Sequence, residues 1–339
     1  MAALSHIIDV HTHVVPSGLP FGHDERFPAL VKRDTTGDVY VRGKLFRTVG
    51  RSAWSMPARL EDMNEHGIAM QGLSVMPELF CYWAESELSR TFCRALNESI
   101  ATMVAVAPGR FVGLGTVPLQ DLDSAIRMLT EVRALGLAGV QVGSNVNGIS
   151  TGSVEFLPFF QAAAELDLCV FVHAFHPPHW SCVADPPMSA AVNFPPEIGT
   201  CIAAMLANGF IEQSPGLRLG ASHGAGTLLL HLPRMAAFWS ADGARLARSA
   251  SPYESAQRMW FDSLTYDPAV LRSLIDLVGA ERILVGSDYP FFAPKPGYVI
   301  DDLDRLSPLS TTDLHLMRHT SAMNFLGLGP TVLATNTSS

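Results

Sequence analysis

Five side chains able to bind a metal or move a proton each stand at or just beyond the end of an apolar run. Asp9-Val10-His11-Thr12-His13 closes the first run; His173 follows Leu168-Cys169-Val170-Phe171-Val172, His223 follows Leu217 to Ser222, and Asp288 follows Ile283 to Ser287. Two residues apart on an extended strand, His11 and His13 share one side, about 7 Å apart at about 3.3 Å per residue, and both imidazoles can tilt onto one ion. Each residue alone has an ordinary explanation: a core histidine, a turn beside Gly224, a cap before Pro290. Their common placement at strand ends is what singles them out. Imidazoles and a carboxylate converging from separate strands suit a divalent cation, which activates water or polarises a substrate oxygen.

The elements that must carry them alternate along the chain. Continuous apolar runs predict strands near 6–12, 68–75, 111–116, 138–143, 168–173, 217–222, 258–262 and 282–287. Such runs belong to parallel strands buried on both faces. Helical patterns lie between them near 57–66, 85–107, 121–135, 154–166, 196–212, 226–239, 267–279 and 311–326. Asp121 and Thr311/Thr312 are placed as N-caps, and Gly136 and Gly279 as helix stops. Eight strand–helix units predict a (β/α)8 TIM barrel, an α/β fold, rather than a doubly wound sheet. Residues 14–55 break the repeat after the first strand, and the alternation of Asp38 to Lys44 around Gly43 predicts a small β-hairpin insertion. Residues 174–196, rich in Pro, His and aromatics, form a second interruption after the fifth strand. Both leave C-terminal strand ends, the face on which barrels build their sites. Residues 1–329 are expected to be a single domain, and the Thr/Ser/Asn-rich residues 330–339 a disordered tail.

Composition narrows the function classes. With 339 residues, 48% of them hydrophobic, the chain can bury a large core, and only 16% charged residues favours burial of part of the surface in an oligomer. A net charge of -9 without a Lys/Arg stripe argues against nucleic acid as a partner. It leaves room for a local arginine pocket that binds a small carboxylate substrate. The five cysteines, Cys81, Cys93, Cys169, Cys182 and Cys201, are odd in number and hold no CxxC pair, as expected of reduced thiols in a cytoplasmic protein. No signal peptide is expected at the N-terminus. The uncharged stretch 134–154 is too crowded with Gly, Ser and Asn to be a membrane span.

With these residues in view, the chain resembles the amidohydrolase superfamily, in the branch that contains α-amino-β-carboxymuconate-ε-semialdehyde decarboxylase. The resemblance runs from about Ile8 to Phe325. It rests further on Phe46-Arg47, Arg59-Leu60-Glu61-Asp62-Met63, Val117-Pro118-Leu119-Gln120-Asp121-Leu122-Asp123, Gly139-Val140-Gln141-Val142-Gly143, Ser222-His223-Gly224-Ala225-Gly226 and Gly286-Ser287-Asp288-Tyr289-Pro290-Phe291. It implies that His11, His13, His173 and Asp288 bind one zinc ion and that His223 is a catalytic acid/base. Two-metal members of the superfamily bridge their ions with a lysine of the fourth strand. The lysines here are Lys32, Lys44 and Lys295, none near 138–143, in keeping with one ion. Related phenolic-acid decarboxylases often carry Glu in the first-strand motif; two histidines favour zinc, with Mn2+ also compatible.

The resemblance further implies a carboxy-lyase acting on a small unsaturated or aromatic acid, with His223 or Asp288 returning a proton as CO2 leaves. It makes Arg47 a carboxylate clamp, since a guanidinium can hold both oxygens. It also makes Arg234 a residue that reaches the active site of a neighbouring subunit, so that the active protein is a homodimer. The chain departs from that relative at Ala174-Phe175-His176-Pro177-Pro178-His179-Trp180. There His176 and His179 are read as pocket-wall or loop residues, and Trp180, Phe194, Phe291 and Phe292 as candidate pocket lining. The alternative is a hydrolase of a lactone or cyclic amide, because a zinc-activated water can equally attack a carbonyl.

Overall fold

The eight apolar runs pair side by side into a closed, wholly parallel barrel: β1 (Ile7–Val14), β2 (Ile68–Val75), β3 (Phe111–Gly115), β4 (Gly139–Gly143), β5 (Cys169–His173), β6 (Arg218–Ala221), β7 (Trp260–Asp262) and β8 (Ile283–Tyr289), with β8 closing onto β1. The computed structural model describes residues 7–21, 24–177, 183–243, 250–291, 303, 306 and 309–329. The (β/α)8 fold is therefore as expected. One apolar cluster fills the space between strands and helices. A second occupies the barrel interior, with Ile8, Val10, Met70, Leu114, Phe171 and Leu284 closed off below by Ala322 and Phe325 of the last helix.

Helix boundaries follow local chemistry. Asp121 caps Leu122–Ala134 by accepting from the Ser124 amide at 3.1 Å, and Gly136 (φ 74°) and Gly279 (φ 87°) end their helices in backbone that side chains rarely adopt. At the last helix the cap is Ser310, one residue before the threonines, in a reciprocal capping box with Asp313. A π-helical stretch, Leu316–Thr320, interrupts that helix.

Three features differ from the sequence reading. The insertion after β1 is a three-stranded antiparallel sheet: the expected hairpin, Thr36–Val41 with Lys44–Gly50, turns at Arg42-Gly43, and Ala29–Lys32 adds a third strand. A two-residue ladder joins Asn145–Val146 to Ile149–Ser150. The helix expected from residue 196 begins at Pro186 and runs to Ala207 through Pro195 and Pro196. Two consecutive prolines ordinarily end a helix. Here the Pro195 carbonyl accepts from the Thr227 amide at 3.1 Å, so the interruption is used to dock the following helix. This helix is long and apolar enough to cross a membrane by length and composition, but its Ile198, Cys201, Ile202, Met205 and Leu206 are buried in the core. His179, Trp180, Phe292 and residues 330–339 lie outside the described residues.

Candidate metal centre

Strand phase decides which side chains meet inside the barrel. Along β5, Cys169 and Phe171 point inward, so His173 follows them by the two-residue period. The same period carries Trp260 to Asp262 and Leu284 to Asp288. In β1 the interior residues Ile8 and Val10 are out of phase with His11 and His13. The register slips between Asp9 and His11, and again between His11 and Thr12, and this irregularity turns both histidines inward. Gly72 faces it, where an added Cβ would stand 2.6 Å from the Val10 carbonyl oxygen.

The four candidate ligands converge. His11 Nε2 and His173 Nε2 each lie 3.2 Å from His13 Nε2, Asp288 Oδ1 is 2.9 Å from His13 Nε2 and 3.5 Å from His11 Nε2, and the four ligand atoms fall within 4.8 Å of one another. Four ligands at about 2.0–2.1 Å around a tetrahedral cation would be about 3.3–3.4 Å apart. The other ring nitrogens are already engaged. His11 Nδ1 meets Asp262 Oδ2 at 2.5 Å, His13 Nδ1 donates to the Val75 carbonyl at 3.2 Å, and His173 Nδ1 to the Ala174 carbonyl at 2.6 Å. Each such bond leaves the Nε2 lone pair facing inward. The residues present thus fit a divalent cation by donor type, spacing and tautomer.

The electrostatics agree. Burial pushes His13 down and His173 well down, toward neutral imidazole. Burial would raise Asp288, but its hydrogen bonds to His11 and His13 hold it well below the usual carboxylate range. Burial alone would also lower His11; the carboxylates of Asp262 and Asp288 outweigh it and raise it to about 10. A cation held by this cluster would supply the positive charge that these carboxylates otherwise favour as a proton.

His223 stands beside the four without joining them. Its ring centroid is 5.3 Å from that of His11 and 5.2 Å from that of His173, and its Nε2 is buried with no hydrogen-bond partner among the described residues. Burial, then the neighbouring His11, lowers its pKa. His223 and Asp288 both adopt left-handed backbone (φ 53° and 57°). For a non-glycine residue that conformation costs about 1–3 kcal/mol, a strain that concentrates at functional sites.

Around the cluster, Phe291 stacks on His13 at 5.6 Å, Phe194 on His223 at 6.2 Å, and the Arg47 guanidinium lies 5.1 Å from the Phe291 ring centre. Arg47 is thus brought to the barrel mouth by the inserted sheet. Arg234 sits elsewhere, exposed on the outer helix Leu228–Ser240 and packed over Phe238 at 5.2 Å. His176 is bound to Glu78 on the pocket wall, 3.0 Å between Nε2 and Oε1.

Two residues escaped the sequence reading. Asp262 holds His11 on one oxygen, and its Oδ1 accepts from the amides of Gly224 at 2.8 Å and Leu264 at 3.1 Å. The period-two phase of Trp260-Phe261-Asp262, with Asp at the C-terminal end, was the available signal. Glu78 carried no comparable signal, because it lies in the turn Pro77–Phe80 beyond β2. Beneath the site, the fully buried Arg59 donates to Thr12 Oγ1 and Gln71 Oε1 at 3.0 Å each, to the Ser52 carbonyl at 3.3 Å and to the His13 carbonyl. Burial lowers its pKa to about 10, so it stays charged at neutral pH.

A parallel barrel with His-x-His in its first strand, His in its fifth and Asp at the end of its eighth defines a metal-dependent (β/α)8 protein. The amidohydrolase family model matches residues 8–328. The chain is 30% identical, over 340 residues, to 2-amino-3-carboxymuconate-6-semialdehyde decarboxylase of Dictyostelium discoideum, covering 95% of this chain and 92% of that protein. Two solved structures share the fold. One is 5-carboxyvanillate decarboxylase from Sphingomonas paucimobilis, with a TM-score of 0.79, 22% identity, and coverage of 96% of this chain and 100% of that one. The other is a dihydroxybenzoic acid decarboxylase from Polaromonas sp. with bound manganese and the inhibitor 2-nitroresorcinol, with a TM-score of 0.73, 20% identity, and coverage of 96% and 97%. The chain belongs to the amidohydrolase family, in its branch of metal-dependent carboxy-lyases similar to 2-amino-3-carboxymuconate-6-semialdehyde decarboxylase.

Proposed function

We propose that the chain catalyses zinc-dependent, non-oxidative decarboxylation of a small unsaturated or aromatic carboxylic acid. The observation that carries this reading is the division at the barrel mouth: four ligand atoms within 4.8 Å of one another, and beside them a fifth group, His223, with a buried and unpartnered Nε2 among the described residues. The relatives named above support the reaction class, since each is a decarboxylase by name. His11, His13, His173 and Asp288 would hold the cation, whose chemistry is to polarise a bound oxygen and lower the pKa of water. Three imidazoles and a carboxylate suit zinc, although the Polaromonas relative holds manganese.

The chain's own groups have distinct tasks in this reading. Arg47, over the faces of Phe46 and Phe291, binds the substrate carboxylate through both of its oxygens. His223, kept neutral by burial, takes up a proton from water at Nε2 and delivers it to the substrate carbon as that carbon's bond to the departing CO2 breaks. Asp288, ionised and bound to two imidazoles, is the second group in reach of a proton. Phe194 and Phe291 keep flat apolar faces next to the histidines and exclude water.

Arg234 belongs to this reading as a residue supplied by a second copy in a homodimer. The exposed Leu230 and Phe238 on the same helix support coverage of that face. We read residues 1–329 as one domain. The buried free thiols Cys81, Cys93, Cys169 and Cys201 fit a reducing, cytoplasmic compartment. The test is to strip the protein of metal, reload it with zinc or manganese, and offer unsaturated semialdehyde acids, hydroxybenzoates and lactones. Release of CO2 from a carboxylic acid, highest with zinc, is expected; lactone opening without CO2 would overturn the reaction, and activity with manganese alone the metal.

A further inference from the structure

Of the four candidate ligands, Asp288 alone stands in left-handed backbone (φ 57°), a conformation that a non-glycine residue keeps only when its surroundings impose it. The strand ladders do not impose it. The pairing of β8 with β1 steps from His11–Gly286 directly to Thr12–Tyr289, passing over Ser287 and Asp288, and the pairing of β8 with β7 ends at Leu284. Ser287 and Asp288 thus lie outside both ladders at the end of β8 where the ligands meet.

A carboxylate takes the place of the ladder. Both oxygens of Asp9, fully buried in β1, bind Ser287: Oδ1 accepts from its amide at 3.2 Å and Oδ2 from its hydroxyl at 2.6 Å. The same Ser287 hydroxyl oxygen accepts from the Tyr289 amide at 3.2 Å. Beyond it, the Asp288 carbonyl accepts from the Phe291 amide at 3.0 Å. The residues on either side of Asp288 are therefore tied, through one hydroxyl, to one anchor, and the ligand is the bent link between them. Asp9, Ser287 and Tyr289 are all buried, so water does not compete for these bonds.

Packing alone does not explain the anchor. A carboxylate is costly to bury unless it is hydrogen-bonded, and an apolar side chain would fill the space, as Ile7 does two positions earlier on the same strand. The two acceptor oxygens are explained by what they hold. Because Asp9 lies in the strand that carries His11 and His13, β1 both supplies two ligands and fixes the backbone around a third.

We propose that Asp9, acting through Ser287, is a positioning residue of the metal centre: it sets the left-handed turn at Asp288 before a cation arrives, so that the carboxylate already faces the three imidazoles. The inference rests on Asp288 being a metal ligand in the function proposed above, and goes beyond it by naming what holds that ligand in place.

The test is a double-mutant cycle on the full chain, stripped of metal and titrated with zinc against a chelator, with circular dichroism verifying each fold. Ser287→Ala deletes the hydroxyl that joins Asp9 to Tyr289. It is expected to weaken zinc binding about 10- to 100-fold, the usual cost of losing a group that orients a ligand. In an Asp288→Ala background, itself weakened, there is no carboxylate left to orient, and adding Ser287→Ala is expected to change the affinity by less than about threefold. A role confined to fold stability would give the same change in both backgrounds. Hydrogen exchange on the wild-type protein needs no variant: the Ser287 and Tyr289 amides are expected to be protected while the protein is still metal-free. Zinc affinity of Ser287→Ala within about threefold of wild type, equal losses in the two backgrounds, or protection of these amides only after zinc is added would overturn the inference. Asp288→Ala with wild-type zinc affinity would overturn the ligand reading together with it; weakened Asp288→Ala beside an unaffected Ser287→Ala would remove the role of Asp9 alone.

Discussion

Replacing Asp262 by asparagine tests whether the metal centre depends on a residue that never touches the metal. Asp262 Oδ1 accepts two backbone amides, from Gly224 at 2.8 Å and Leu264 at 3.1 Å, while Oδ2 faces His11 Nδ1 at 2.5 Å. An asparagine keeps its oxygen on the two amides and turns its NH2 toward His11. Two N–H donors then face each other, and His11 escapes by moving its proton from Nδ1 to Nε2. That proton occupies the lone pair needed for a cation. Loss of such a supporting carboxylate ordinarily costs about 10- to 100-fold in metal affinity, or about 1.4–2.8 kcal/mol. Because the tautomer itself is reversed, Asp262→Asn is expected near the upper end. Competition with a chromogenic chelator at fixed pH measures the zinc affinity, and circular dichroism verifies the fold. A folded variant whose zinc affinity lies within threefold of wild type would refute the orienting role.

Further predictions follow from the same geometry. His223→Ala should retain the metal and lose about 10²- to 10⁴-fold in kcat, the range for a general acid/base; loss of metal by elemental assay would instead make it a ligand. Arg47→Ala should raise KM for carboxylate substrates about tenfold or more, as expected for a lost charge-assisted contact, and unchanged KM and kcat would remove it from the site. Mixing inactive His223→Ala and Arg234→Ala proteins should restore activity, up to about a quarter of the sites for random pairing in a two-fold dimer; no recovery despite subunit exchange would show that Arg234 does not act across an interface. At Gly286 an added Cβ would stand 2.8 Å from the Cβ atoms of both His11 and Asp262. Gly286→Ala should therefore lower both Tm, by roughly 1–3 kcal/mol of overpacking, and zinc affinity, and thermal melts with and without zinc separate the two effects.

Much of the barrel was legible because buried parallel strands are written as uninterrupted apolar runs, and the Gly136 and Gly279 stops and the Asp121 cap act over a few residues. The His11, His13, His173 and Asp288 cluster was legible for a related reason: strand ends are easy to locate, and a barrel brings them to one face. The irregular register that turns His11 and His13 inward beyond Val10 was not, since it arises from pairing with β2 and β8. Nor was the start of the helix at Pro186. Pro195 and Pro196 read locally as a break, and the bond that the Pro195 carbonyl accepts from the Thr227 amide is a tertiary contact. Glu78 was hidden because the acceptor–donor pair it makes with His176 spans 98 positions and two loops.

The contacts of Arg59 bear on how this protein can be re-engineered. One guanidinium ties Ser52, at the exit of the inserted sheet, to Thr12 and to the carbonyl of His13. Asp62, on the same helix, accepts from Ser52 Oγ and from the hydroxyl of Tyr289, the neighbour of Asp288. The sheet that carries Arg47 is consequently not an interchangeable cassette. A graft that exchanged residues 14–55 for a foreign loop would transmit any misfit at its seam to His13 and Asp288. Substrate range is better altered one side chain at a time around the metal centre than by swapping the segment that bears Arg47.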